Sequence, residues 1–181
     1  GDMENLFSTN QRIRILQAVI FRTDSVSVNN VAFQLRVSKG LVSKYFQILL
    51  KQKILKKGKG GLVVADSPLV KAVKILLNVK NIDTGIFSKY PFVTAAGLYG
   101  SCARGENTEN SDVDLWLRVK DVEETKIASL TSEINRKIKN AKILLLSDKR
   151  LEKIRKEDTM FYHSLTFGSI ILYGGVDAVQ I

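Results

Sequence analysis

Through the first third of the chain, apolar residues recur at three- and four-residue intervals and then give way to a short alternation. That pattern predicts helices followed by a hairpin. Within Asn10–Phe21, Ile13, Leu16, Ala18, Val19 and Ile20 form one stripe, with Thr9 or Asn10 as its cap. Asp24 and Ser25 end it, and Ser27 opens a second helix carrying Val28, Val31, Ala32 and Leu35. Ser38 opens a third, running to about Lys53, whose Val42, Phe46 and Leu49 face inward. Its opposite side shows Lys39, Ser43, Lys44 and Gln47. Ile54–Lys57, a turn at Gly58–Gly61 and Leu62–Val64 read as a β-hairpin with a basic tip at Lys57 and Lys59.

Further on, Ser67-Pro68 starts a helix carrying Leu69, Val70, Val73, Leu76 and Leu77. Residues 81–91 mix breakers with apolar residues and carry no assignment. A strand is expected over Phe92–Tyr99. A second strand opens at Asp112 and alternates, with Asp112, Asp114, Trp116 and Arg118 on one side and Val113, Leu115, Leu117 and Val119 on the other. Asp121 with Glu124 predicts a capping box for a helix to about Asn140, buried through Ile127, Leu130, Ile134 and Ile138. Lys142–Ser147 reads as a third strand, Asp148 opens a charged helix, Met160–Thr166 reads as helical, and Ile170–Tyr173 as a last strand.

Charge narrows the reading. The net charge is +10, of which residues 1–66 carry +7 and the remainder +3. A basic excess in the first third points to nucleic acid, with a solvated basic face as the bland alternative. A single cysteine, Cys102, excludes an internal disulfide, and a single histidine, His163, argues against a Ser-His-Asp arrangement. No apolar run reaches the roughly 18 residues of a membrane span, and no basic-then-apolar leader is read, so the expectation is a cytoplasmic protein with no membrane partner.

The densest chemistry lies between Leu98 and Leu117. Gly100 permits a turn that brings backbone N–H groups close to an anion, and Ser101 adds a hydroxyl donor. Asp112 and Asp114, two apart on a strand, present two carboxylates to one point, a hard-oxygen pair suited to Mg2+ shared with phosphate oxygens. Gly100, Ser101, Ala103, Arg104, Gly105, Ser111, Asp112 and Asp114, in this order and spacing, resemble the signature of the polymerase-beta-like nucleotidyltransferases, most closely their minimal branch. The three helices and basic hairpin over Thr9–Ala65 resemble a winged helix-turn-helix. Together the resemblances imply a two-domain chain. An N-terminal winged helix-turn-helix spans 9–66, a connecting helix and linker 67–91, and an α/β nucleotidyltransferase fold with a small mixed sheet 92–181.

The resemblance further implies that Asp112 and Asp114 are catalytic and ligate metal, while Gly100, Ser101 and Arg104 bind the nucleotide. Arg104 has a second reading as a salt bridge to Glu106 or Glu109. For double-stranded DNA the contacts would be Lys39, Ser43, Lys44, Gln47, Lys57 and Lys59, although a winged domain can also serve dimerisation or partner docking. Active members of the family commonly carry a third carboxylate on the strand beside Asp-x-Asp, and Lys142–Ser147 contains none, with Asp148 just beyond. Three functions therefore stay open. One is a DNA-binding enzyme that uses two Mg2+ ions to transfer a nucleoside monophosphate from a nucleoside triphosphate such as ATP. Another is a transcriptional regulator with a degenerate, one-ion, nucleotide-binding domain. The third is an antitoxin-like adenylyltransferase with a protein acceptor.

Overall fold

Short polar side chains open the helices that the periodicity predicts. Thr9 accepts from the Arg12 N–H, Ser27 from Asn30 and Ser38 from Leu41, each at 3.1 Å. Ser67 does the same for Val70, Ser147 for Arg150 and Asp158 for Phe161. Each such cap satisfies an orphan helix donor and contributes about 1 kcal/mol. The protein's structure, a computed structural model, describes residues 2–175 and divides into two units. The last residues of the second expected domain, 176–181, lie outside the described residues.

The first unit runs to Lys74 and includes Thr108–Asn110. It contains α1 (Asp2–Phe7), α2 (Asn10–Val19), α3 (Val28–Leu35), α4 (Lys39–Lys51), β1 (Leu55–Gly58) and β2 (Gly61–Val64). Ile15, Leu16, Val19, Ile20, Val42, Phe46 and Leu49 form its fully buried core. Tyr45, absent from the expected stripe, is buried with them because its O–H donates to the Leu6 carbonyl at 2.8 Å, which also ties down α1, a helix not expected from the sequence. The helix expected to reach Lys53 ends at Lys51, since Lys53 adopts φ 61°. In the hairpin Leu55 pairs with Val64 and Gly58 with Gly61, leaving Lys59 and Gly60 as the turn. Val26 bridges to Leu62 and extends the pairing. The Glu109 N–H donates to Phe21 and its carboxylate pairs with Arg22 at 3.3 Å.

The helix α5 (Pro68–Lys80) begins in the first unit and continues in the second, which takes Ile75–Asn107 and the chain from Ser111 onward. There follow α6 (Gly85–Ser88), β3 (Val93–Tyr99), α7 (Ser101–Arg104), β4 (Val113–Val119), α8 (Glu124–Lys137), β5 (Ala141–Leu146), α9 (Asp148–Glu157), α10 (Thr159–Gly168) and β6 (Ile170–Tyr173). The sheet order is β5-β4-β3-β6. Only the β4–β5 pair is parallel, as the α8 crossover between them requires. The sheet is therefore small and mixed.

Both faces of this sheet are covered. Leu98, Leu115, Leu117 and Val119 pack against Ile86 and Phe87 and against Leu130, Ile134 and Ile138 of the α8 segment. On the acid-bearing side Trp116 is fully buried with Leu146, Leu151 and Leu165, so α9 and α10 cover that face beyond Asp114. The expected capping box is not formed: α8 starts at Glu124 after an extended Glu123, without a side-chain cap bond. The stretch 81–91 contains one helical turn, α6. Among the described residues no helix is long and apolar enough to cross a membrane.

Two glycines test this packing. A Cβ on Gly97 would lie 2.1 Å from the Trp116 ring, so Gly97→Ala should cost about 1–3 kcal/mol by overpacking. Gly40 in α4 has open space around it, and Gly40→Ala should gain about 0.5–1 kcal/mol. Urea unfolding measures both, the first through Trp116, the only tryptophan.

Glu133 provides a pH test. Only 7% exposed, it is paired with Lys89 and Lys137, at 2.7 and 3.0 Å, and accepts from the Tyr90 hydroxyl at 2.7 Å. Hydrogen bonds from Lys89, then Tyr90 and Lys137, pull its carboxyl from 4.5 down to about 2. A carboxyl depressed on folding stabilises above its unfolded value and loses that contribution as pH falls through the folded one. Glu133→Gln should therefore be less stable than wild type at pH 7, with the difference narrowing between pH 4.5 and about 2 in acid unfolding.

Candidate functional site

The antiparallel register of β3 and β4 sets Tyr99 opposite Asp114, and the next residue, Gly100, turns the chain away from the strand. Gly100 adopts φ 69° and ψ −151°, a region reserved for glycine. A Cβ there would lie 2.4 Å from Asp114 Oδ2. The turn is thus held by an absent side chain, and the space it leaves belongs to the carboxylate. Ser101 opens α7, a single turn closed by Gly105 at φ 68°. The first N–H groups of a helical turn have no intrahelical acceptor.

Two contacts fix this turn against its surroundings. The Cys102 thiol, buried and pushed up to about 11 chiefly by that burial, reaches the Asp112 carbonyl at 3.5 Å. Asn78 of α5 and Asn107 exchange amide hydrogen bonds at 2.8 and 3.0 Å, and Asn78 also donates to the Cys102 carbonyl at 2.9 Å. Sequence reading missed this clamp, because two asparagines 29 positions apart carry no periodic signal.

The expected acids are close enough to interact. Asp112 is exposed just before β4, and Asp114 is half-buried on it. Burial raises the Asp114 carboxyl and the Asp112 charge raises it further, while Lys142 and Arg104 pull it down. Arg104 is exposed and paired with Glu106 at 2.9 Å, whereas Glu109 pairs with Arg22, so the salt-bridge reading of Arg104 holds for Glu106 alone. Two further residues border the acids without having been singled out. Tyr99 stacks edge-on against Phe161 at 6.3 Å, its hydroxyl pushed up by burial and then by the Asp114 charge. Lys142 is the β5 partner of Asp114. Finding it required the strand register, which composition does not supply.

Asp148 does not complete the acid set. It is ion-paired with Arg118, four residues along β4 from Asp114, or roughly 13 Å at strand rise. Among the described residues no three acidic, histidine or cysteine side chains cluster. The residues present still fit one Mg2+: they are hard oxygen donors, and mutual repulsion together with burial leaves Asp114 in want of a cation. A cleft of about 650 Å³, lined by Tyr90, Phe92, Lys120 and Val122, lies at the opposite end of β3 and β4 and has no part in this site.

The residues expected on DNA are all in the first unit. Lys39, Ser43, Lys44 and Gln47 are exposed on one side of α4, Lys57 is exposed on β1, and Lys59 is exposed in the hairpin turn. Phe33 on α3 is 88% exposed, a large apolar residue the helical pattern did not flag.

No curated protein matches the chain. Among solved structures it is similar to a toxin–antitoxin crystallised with AMP-PNP, at 18% identity over 63% of this chain and 79% of that one, with a TM-score of 0.36. A Sulfolobus solfataricus protein described as a nucleotidyltransferase has 22% identity over 63% and 90%, with a TM-score of 0.36. A tri-AMPylated Shewanella oneidensis HEPN toxin in complex with MNT antitoxin has 13% identity over 58% and 73%, with a TM-score of 0.31. The sequence family described as polymerase beta, nucleotidyltransferase matches residues 81–174, from the end of α5 through β6. With just over half its length in that match, the chain belongs to the polymerase beta nucleotidyltransferase family.

Proposed function

We propose that this protein binds a nucleoside triphosphate with Mg2+ at Asp112 and Asp114 and transfers its nucleoside monophosphate to an acceptor, while its first unit binds double-stranded DNA as a winged helix-turn-helix. The observation that carries the first half is the apposition of the Gly100 turn and the Asp114 carboxylate. A bare backbone turn suits phosphate oxygens, and a carboxylate pair beside it suits the cation those oxygens bring. Bound Mg2+ supplies charge neutralisation on the phosphates. Asp112 and Asp114 would hold it, Gly100 and Ser101 would receive the outgoing phosphates, and Arg104 would reach them by exchanging its Glu106 partner. In the reaction an acceptor oxygen forms a bond to the α-phosphorus, the bond to pyrophosphate breaks, and the acceptor's proton passes to water. The acceptor is a hydroxyl, on nucleic acid or, in the antitoxin-like version of this reading, on a protein.

One observation favours a second reading, a regulator that binds nucleotide without efficient transfer. The strand beside Asp114, Ala141–Leu146, carries no acid. In the register Leu145 lies on the opposite face, and Leu144 pairs with Trp116 and packs against its core, leaving Lys142 as the residue paired with Asp114.

For the first unit, support comes from the basic outer side of α4 followed by the basic hairpin. A Lys44→Ala, Lys59→Ala double variant should bind duplex DNA more weakly, and its slope of log affinity against log salt should be shallower by about 2, given roughly 0.9 per phosphate contact. Fluorescence anisotropy over a salt series measures this, and an unchanged slope removes the DNA assignment. For the second unit, Asp114→Asn is nearly isosteric and should leave the fold intact, yet lower Mg-dependent affinity for a fluorescent triphosphate by more than about 100-fold. Unchanged affinity would mean the acid pair does not hold the nucleotide's cation.

A further inference from the structure

The side chain closest in register to Asp114 on the neighbouring strand is a lysine. β4 and β5 run parallel with Asp114 paired to Lys142, and paired residues on adjacent strands project to the same face about 4.8 Å apart. Lys142 is exposed on the edge strand of the sheet, and among the described residues it has no ion pair or side-chain hydrogen bond. Its charge favours the ionised form of Asp114 against burial and against Asp112. A lysine in register with that carboxylate and held by no ion pair leaves its ammonium available to the site.

We propose that the Lys142 ammonium occupies the place of a second divalent cation beside Asp114, so that the site takes a nucleoside triphosphate with one Mg2+ and not two. This rests on the reading of the acid pair as the Mg-nucleotide site. A second dication needs carboxylates shared between the two ions and a further carboxylate of its own. Here the strand that would offer one offers Lys142, the nearest later acid is Asp148 paired with Arg118, and no third acid joins Asp112 and Asp114 among the described residues. A fixed positive charge repels a second dication and attracts triphosphate oxygens. Lys142 is therefore a nucleotide-binding and metal-counting residue.

The test counts ions without turnover. Mn2+ is titrated into protein mixed with one equivalent of the imido analogue of a ribonucleoside triphosphate, each of the four in turn, and free Mn2+ is read by electron paramagnetic resonance. Wild type should bind one Mn2+ per nucleotide. Lys142→Asp supplies the missing ligand and should bind two, and Lys142→Met should bind one, with affinity for the analogue lower by about tenfold through loss of a charge-assisted contact. Trp116 fluorescence confirms folding of each variant. Two ions in wild type, or a Lys142→Met variant that binds nucleotide as wild type does, overturns this inference and leaves the proposed function standing. Absence of Mn-dependent nucleotide binding in wild type overturns both.

Discussion

The second unit depends on how closely β3 and β4 approach each other on one face of the sheet. At Gly97 the missing side chain makes room for the ring of Trp116, and at Gly100 a backbone that only glycine adopts makes room for the carboxylate of Asp114. Gly97 is the β4 partner of Trp116, and Gly100 follows Tyr99, the partner of Asp114, so one strand pairing seats the core tryptophan and the acid two residues before it. Packing and chemistry are therefore not separable here. The ring anchored beneath α9 and α10 fixes the strand on which Asp114 sits, and the Asn78–Asn107 clamp fixes the turn opposite.

Charge is distributed along that face in a way that fits a polyanionic ligand. Asp112 and Asp114 stand against Arg104 and Lys142, and Arg150 acts on the neighbouring Tyr99. Burial and mutual repulsion keep Asp114 from being an ordinary surface carboxylate. In the function we propose, a cation relieves it, and a triphosphate delivers that cation together with negative charge for the arginine and lysine. Farther along β4 the character changes: Trp116 is sealed and Arg118 is paired with Asp148, so the carboxylates of this face are confined to Asp112 and Asp114.

Much of this was legible in the sequence because it rests on local rules. Ser27, Ser38 and Ser67 announced helices that form with those caps, and alternation from Val113 to Val119 announced β4. The spacing from Gly100 to Asp114 announced the family before any contact was known. What stayed hidden depends on distant partners. Tyr45 is buried because Leu6 accepts its hydroxyl, Asn78 matters because Asn107 faces it, and Lys142 matters because of a parallel register with β4. Asp121 and Glu124 misled because their spacing fits a cap while the chain stays extended through Glu123. The covering of the acid-bearing face was also hidden, since the α9 segment is largely charged and shows few of the residues that bury Trp116.

The central claim is that the Gly100 turn and the Asp112–Asp114 pair form one nucleotide site completed by a divalent cation. Calorimetric titration of the wild-type protein with each ribonucleoside triphosphate, in Mg2+ and again in excess chelator, tests it most directly. The account predicts saturable binding of at least one triphosphate at a single site in Mg2+, lost in chelator. Binding of equal strength without the cation, or no binding of any triphosphate with it, would contradict the account.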